Sequence, residues 1–314
     1  MKHRPLAPWL RKRLPAGGEA ERVQRLLDQG ALHTVCVSAH CPNIFECFAR
    51  GTATFLILGP RCTRRCRFCA VAKGMPAPVD EGEPGRVVEA ARRLGLRYVV
   101  VTSVTRDDLP DGGAGQFARV VRQAHEQLGA RVEVLTPDFA GREESVATVV
   151  ASGPDVYNHN LETVPRLYGE VRPGASYDRS LRVLEEVKQL APGMVTKSGL
   201  MLGLGEEGRE VRAAFADVRA VGCDALTLGQ YLAPSAEHLP VARFVPPGEF
   251  ADWAKEAREL GFRGVAAGPF VRSSHGAAEL FVPLGAGKEE VSASERGGMM
   301  EGGYACRGEG AQLR

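Results

Sequence analysis

Six of the eight cysteines lie between Cys36 and Cys69, in two triplets. Cys36, Cys41 and Cys47 are spaced C-x4-C-x5-C, and Cys62, Cys66 and Cys69 are spaced C-x3-C-x2-C. Thiolates are soft donors suited to iron–sulfur clusters, which are often held on closely spaced cysteine runs. Three thiolates lack the fourth ligand of a closed structural zinc site. On a [4Fe–4S] cluster each triplet would leave one iron free for another ligand. The remaining two cysteines read differently. Cys223 opens an apolar run after Gly222 and fits a small buried hydrophobe. Cys306 has no partner at ligand spacing and reads as a stray thiol.

The bulk properties bound the class. The chain has 314 residues, 44% hydrophobic and 25% charged, with a formal net charge of +2, which fits a soluble globular protein with one large domain and extensions. No apolar run approaches the roughly 20 residues that span a bilayer, so no membrane association is expected. Near-neutral charge argues against nucleic-acid binding. Arg61, Arg64, Arg65 and Arg67, interleaved with the second triplet, read as an offset to an anionic, thiolate-ligated cluster. The basic N-terminus has no apolar core of a signal peptide, and Trp9, Glu19 and Glu21 favour a folded extension over a transit peptide. A cytoplasmic location is expected, where reduced thiols serve metal or redox chemistry rather than disulfides.

The elements that would position the triplets follow from periodicity. Residues 1–50 form an extension with a helix over Glu19–Gln29 ended by Gly30. Thr54–Leu58 is a continuous apolar run closed by Gly59-Pro60, the pattern of a strand buried on both faces. Comparable runs recur at 97–104, 131–135, 155–157, 195–202, 225–228 and 263–267. Helical stretches separate them at 83–95, 115–128, 142–152, 177–190, 208–221 and 248–260, with Gly95, Gly129, Gly222 and Gly261 at C-cap positions. Strict alternation implies a parallel sheet with helical crossovers. The expected fold is α/β, a partial or open (β/α) barrel of about six to seven parallel strands over residues 51–270. Such barrels carry chemistry at the C-terminal ends of their strands, where the second triplet falls. Asn158, Asn160 and Glu162 sit at the end of an expected strand, either as site residues or as caps. Thr102, Ser103 and Arg106-Asp107-Asp108 follow the second strand in the same layer. His159 reads as a packed histidine, or one supporting the site residues, rather than as a ligand. Residues 285–314 are rich in Gly, Glu and Ser and read as a flexible tail.

The CTRRCRFC segment resembles the radical S-adenosylmethionine superfamily, including an aromatic residue, Phe68, before the third cysteine. CVSAHCPNIFECF upstream, with TSVTRDDLPDGGA, VYNHNLETVPRLY, VRPGASYDRSL, TKSGLMLGLGE, LTLGQYLAPSAEHLPVARFVPP and GPFVRSS, is similar to the lipoyl synthase family over nearly the whole chain. That resemblance implies two [4Fe–4S] clusters. Cys62, Cys66 and Cys69 would hold the one that reductively cleaves S-adenosylmethionine. Cys36, Cys41 and Cys47 would hold an auxiliary cluster, closed by Ser274 of Arg272-Ser273-Ser274-His275 in a capping segment over 271–284. No catalytic residue beyond the clusters is implied; Phe68, Asn158, Asn160 and Glu162 would contact S-adenosylmethionine.

The implied reaction inserts two sulfur atoms at C6 and C8 of a protein-bound octanoyl-lysine, with the auxiliary cluster as sulfur donor. Implied partners are octanoylated lipoyl-carrier domains (2-oxoacid dehydrogenase E2 subunits and the glycine cleavage H protein), a ferredoxin or flavodoxin electron donor, and iron–sulfur assembly or carrier proteins. Two departures from the family pattern stand out. His275 replaces the usual Tyr, which leaves Ser273, Ser274 and His275 all open as the fourth ligand, and Ala70 replaces a common Asp. Rival readings are a biotin synthase-like or methylthiotransferase-like enzyme, sharing only the second triplet, and an iron–sulfur electron-transfer protein that would not consume S-adenosylmethionine.

Overall fold

In a computed structural model, residues 6–12 and 18–280 are described; the expectations for the 285–314 tail, for Cys306 and for the end of the capping segment lie outside the described residues. The extension begins with α1 (Glu19–Gln29), whose Val23, Leu26 and Leu27 recur at helical spacing and are buried. β1 (His33–Thr34), α2 (Val35–Ser38) and α3 (Ile44–Ala49) follow. Thr34 caps α2, its hydroxyl accepting from the Val37 N–H. Next come β2 (Thr54–Ile57) and two short strands, β3 (Arg61–Cys62) and β4 (Ala72–Lys73), which pair with each other and bracket the second triplet.

From there strand and helix alternate: α4 (Glu83–Arg93), β5 (Tyr98–Ser103), α5 (Ala114–Leu128), β6 (Arg131–Leu135), α6 (Glu143–Val150) and β7 (Val156–Asn158). A short α7 (Tyr168–Val171) precedes α8 (Tyr177–Leu190), β8 (Val195–Leu202), α9 (Gly208–Ala220), β9 (Ala225–Gln230), α10 (Pro247–Glu259) and β10 (Gly264–Gly268). The sheet order is β1-β2-β5-β6-β7-β8-β9-β10. All pairings are parallel except β1 on β2. Among the described residues, seven parallel strands joined by six helices, with β1 and β10 at the two edges, make an open (β/α) barrel, as expected.

Burial follows from the strands' composition. β2 and β9 are buried along their whole length, because helices cover one face and barrel side chains the other. One core joins α1 to β2, α4, β5, α5 and β6, so the extension is packed on the barrel rather than tethered to it. A second core centres on β8, β9, α9 and α10. Gly129 ends α5 at φ 60°, its N–H donating to the His125 carbonyl, a left-handed position that disfavours side chains.

Two differences from the expected pattern bear on the site. β1 is too short to leave a periodic signal, yet it extends the sheet by an edge strand. The strand expected at 155–157 lies one residue later. Asp155 is used instead as a side-chain acceptor for the Val132 N–H (2.8 Å) and the Arg131 guanidinium (2.7 Å). Asn158 therefore sits inside the strand, paired with Leu135 and Lys197. Among the described residues, no helix is long and apolar enough to cross a membrane.

Candidate active site

The loop from Gly59 to Lys73 carries the second triplet across the C-terminal end of the barrel. It leaves β2 through Leu58, a non-glycine residue at φ 68°. Such a conformation persists only where neighbours hold it. Here buried Glu83 accepts from the Leu58 N–H (2.9 Å) and buried Arg106 donates to the Leu58 carbonyl (3.2 Å). The loop then docks on the segment after β5: the Thr105 N–H donates to Cys62 Sγ (3.3 Å) and the Thr63 N–H to the Thr105 carbonyl (3.1 Å). Arg64 is buried and reaches Asp107 Oδ2 (2.8 Å) and Asp138 Oδ1 (2.6 Å). Burial works to raise the Asp138 carboxyl, but the hydrogen bond and charge of Arg64 outweigh it and hold the group well below the usual carboxylate range. Lys73 Nζ and His238 Nε2 both reach the Cys69 carbonyl, at 2.6 and 3.2 Å.

Cys62, Cys66, Phe68 and Cys69 line a cavity of about 470 Å³ in the barrel mouth. All three thiols are free. Burial pushes Cys69 up to about 11 and raises Cys66, with the neighbouring thiols adding to it. Three soft thiol donors on one cavity wall suit an iron–sulfur cluster. Polar groups ring the same space. Asn160 Nδ2 donates to Glu162 Oε1 (3.1 Å), and burial pushes the Glu162 carboxyl up against the opposing pull of Arg172 and Asn160. Glu162 is held at φ 68° by pairing with Leu200 of β8. Arg172 Nη1 donates to the carbonyls of Asn160 and Leu161, both at 3.0 Å. His159 Nδ1 lies 2.9 Å from the Thr136 carbonyl, which can only accept, so that nitrogen carries the proton. Burial, with Arg172 beside it, lowers this imidazole to about 4 and keeps it neutral. Among the described residues, buried Ser103 Oγ, His159 Nε2 and Arg172 Nε find no hydrogen-bond partner. Buried polar atoms are ordinarily satisfied, and this set fits a polar cosubstrate lying beside the thiols.

The first triplet lines a second cavity of about 380 Å³ between the extension and the barrel edge, with Ser274 and His275. Burial pushes Cys36 up to about 11 and, with Cys36 and Cys41 adjacent, Cys47 up to about 12. This donor set fits a second cluster by the same reasoning. Cys41, Arg272 and Ser274 belong to both cavity walls. The extension grips the serine segment from outside: Asn43 Nδ2 donates to the Phe270 carbonyl (2.7 Å), and Lys12 bonds Asn43 and Glu46, each at 2.7 Å, while lying 4.2 Å over the Phe270 ring.

The residues singled out in the sequence thus separate. The two triplets, Phe68, Asn160, Glu162 and Ser274 line the joined cavities. Asn158 lines neither; its Nδ2 donates to Glu133 (3.1 Å) within the barrel wall. Ser273 lines the first cavity only and His275 the second only. Arg172 and the Arg64–Asp138 bridge carried no spacing signal; His159 is buried and lines the cavity.

An open (β/α) barrel with three thiols on the loop after its first parallel strand defines a radical S-adenosylmethionine enzyme, and the Radical SAM superfamily profile matches residues 56–218. Two solved structures share the fold: HydG, a maturase of the [FeFe]-hydrogenase, with a TM-score of 0.53, and Streptococcus suis SuiB bound to S-adenosylmethionine, with 0.50. Both are 14% identical; the matches cover 78% and 69% of this chain and 62% and 51% of theirs, a likeness of fold alone. Curated relatives go further. The lipoyl synthase of Caldanaerobacter subterraneus is 57% identical over 85% of this chain and 94% of its own. That of Methylococcus capsulatus is 56% identical over 88% and 87%, and lipoyl synthase 2 of Thermosynechococcus vestitus 54% over 88% and 98%. The chain belongs to the lipoyl synthase family, and its cofactors are [4Fe–4S] clusters and S-adenosylmethionine.

Proposed function

We propose that the two cavities divide one sulfur-insertion reaction between them. Cys62, Cys66 and Cys69 hold the radical-generating cluster, and Cys36, Cys41, Cys47 and Ser274 hold the auxiliary cluster that yields sulfur for C6 and C8 of an octanoyl-lysine. The observation that carries this reading is the shared wall of Cys41, Arg272 and Ser274, across which a chain in the first cavity meets the second donor set without leaving the barrel. When bound, the two clusters supply the electron for reductive cleavage of S-adenosylmethionine and the sulfide. The protein's own residues bind and orient. Phe68, Asn160 and Glu162 face the S-adenosylmethionine side, and Asn158 supports that wall through Glu133. Val104, Leu135, Leu200 and Met201 give the cavity an apolar lining suited to an octanoyl chain.

On this reading the enzyme is a sulfurtransferase of the cytoplasm, with residues 1–50 as the auxiliary-cluster extension, 51–270 as the barrel, 271–284 as the capping segment and 285–314 as a tail. Its substrates are octanoylated lipoyl-carrier domains of E2 subunits and the H protein. Ferredoxin or flavodoxin supplies electrons, and iron–sulfur carrier proteins rebuild the auxiliary cluster. Mass spectrometry of an octanoyl-lysyl peptide after turnover with reductant tests it. A gain of two sulfur atoms is expected; a single sulfur or a methylthio group would contradict it.

A further inference from the structure

Ser274 lies in the wall of the second cavity, and residues 270–275 are held from both sides. The extension holds the outer side through Asn43 and Lys12. On the inner side, Lys197 of β8 is 2% exposed and its Nζ donates to the Ser273 carbonyl (2.8 Å). The same ammonium pairs with Glu133 Oε1 at 2.5 Å. Glu133 is fully buried and fixed in turn by the Tyr98 hydroxyl (2.8 Å) and by Asn158 Nδ2 (3.1 Å). Ser273 is engaged at its other end as well, its Oγ donating to Asn160 Oδ1 (2.9 Å).

A buried ion pair is weak evidence for stability, since desolvation offsets much of its attraction and apolar residues of similar volume often serve as well. What the Lys197–Glu133 pair provides that an apolar pair cannot is a fixed donor aimed at one carbonyl of the turn. With both polar ends of Ser273 occupied inside the barrel, the next residue along the turn lies in the wall of the second cavity.

We propose that Lys197, anchored by Glu133, is the positioning residue for Ser274: it sets the turn that carries the oxygen ligand to the auxiliary cluster. This rests on the reading of Ser274 given above. Metal-site partners one step removed from the ligands commonly change affinity or activity by about 10- to 100-fold when lost.

The test compares the reconstituted full chain with Ser274→Ala and with the Lys197→Met/Glu133→Gln double variant, which leaves no buried charge unpaired. Should that variant fail to fold, Lys197→Gln/Glu133→Gln retains a neutral hydrogen-bonded pair while withdrawing the long donor. The readouts are Mössbauer spectra of isotopically enriched iron, formation of 5′-deoxyadenosine and thiolation of an octanoyl-lysyl peptide. In the double variant, the signature of oxygen-bound iron is expected to weaken as in Ser274→Ala. Thiolation should fall about 10- to 100-fold, and by more than 5′-deoxyadenosine formation falls, since Glu133 also supports the S-adenosylmethionine wall through Asn158. A folded double variant with the parent signature and thiolation would overturn the role of Lys197. A parent signature in Ser274→Ala would overturn the ligand assignment itself.

Discussion

At the scale of single residues, the site depends on charges that are buried and paired. Arg64 bridges Asp107 and Asp138, and Asp138 is fully buried. Arg64→Met leaves that carboxylate with Arg179 at 3.2 Å and the Ala140 N–H alone, and removing one partner of a buried pair typically costs up to about 3–5 kcal/mol. Equilibrium denaturation should show the loss, together with faster release of iron from the second triplet, whose loop Arg64 secures. The pH dependence has a definite sign. Asp138 is depressed when folded, so its contribution is fully present above the unfolded carboxylate value of about 4 and is lost as pH falls toward its folded value. The parent protein should therefore lose stability in acid more steeply than Arg64→Met. Equal slopes would mean that the bridge is not what lowers Asp138.

At the scale of elements, two pieces hold the auxiliary site together, and each can be loosened separately. The first is α1, whose Leu27 is buried in the core that joins extension and barrel. Leu27→Ala is expected to cost about 2–5 kcal/mol, seen as a lower denaturant midpoint, with iron lost from the first triplet before the second. The second is the segment after β10. A Cβ on Gly229 of β9 would lie 2.2 Å from the Val271 carbonyl oxygen, a contact the backbone must move to relieve. Gly229→Ala should therefore displace Arg272–Ser274 and lower iron and sulfide toward one cluster per chain, while 5′-deoxyadenosine formation persists. Retention of both clusters at the parent level would contradict this account of the segment.

At the scale of the whole molecule, some features were legible in sequence and others were not, for physical reasons. The barrel was readable because buried parallel strands must be continuously apolar and helices between them carry glycine caps, as at Gly129. The triplets were readable because ligand spacing is local. The strand shift at Asp155–Asn158 was not, because it goes with Asp155 side-chain bonds to residues some twenty positions away, made while its N–H still donates to the Val132 carbonyl. It moved Asn158 from the expected rim into the wall. Lys197 stands in sequence within the apolar run at 195–202, among the weaker site candidates. Its partners, Glu133 and Ser273, lie far off in the chain, and only folding brings them together. The proposed fourth ligand has the same character: Ser274 lies far from Cys36, Cys41 and Cys47 in sequence but in the wall of their cavity.

The central claim is that the two triplets do different work in two adjoining cavities. Its most direct test is parallel measurement of 5′-deoxyadenosine and thiolated octanoyl-lysyl peptide in Cys66→Ala and Cys41→Ala. Cys66→Ala should abolish both products, whereas Cys41→Ala should still form 5′-deoxyadenosine and yield no thiolated peptide. Cleavage of S-adenosylmethionine surviving in Cys66→Ala, or sulfur insertion surviving in Cys41→Ala, would contradict the account.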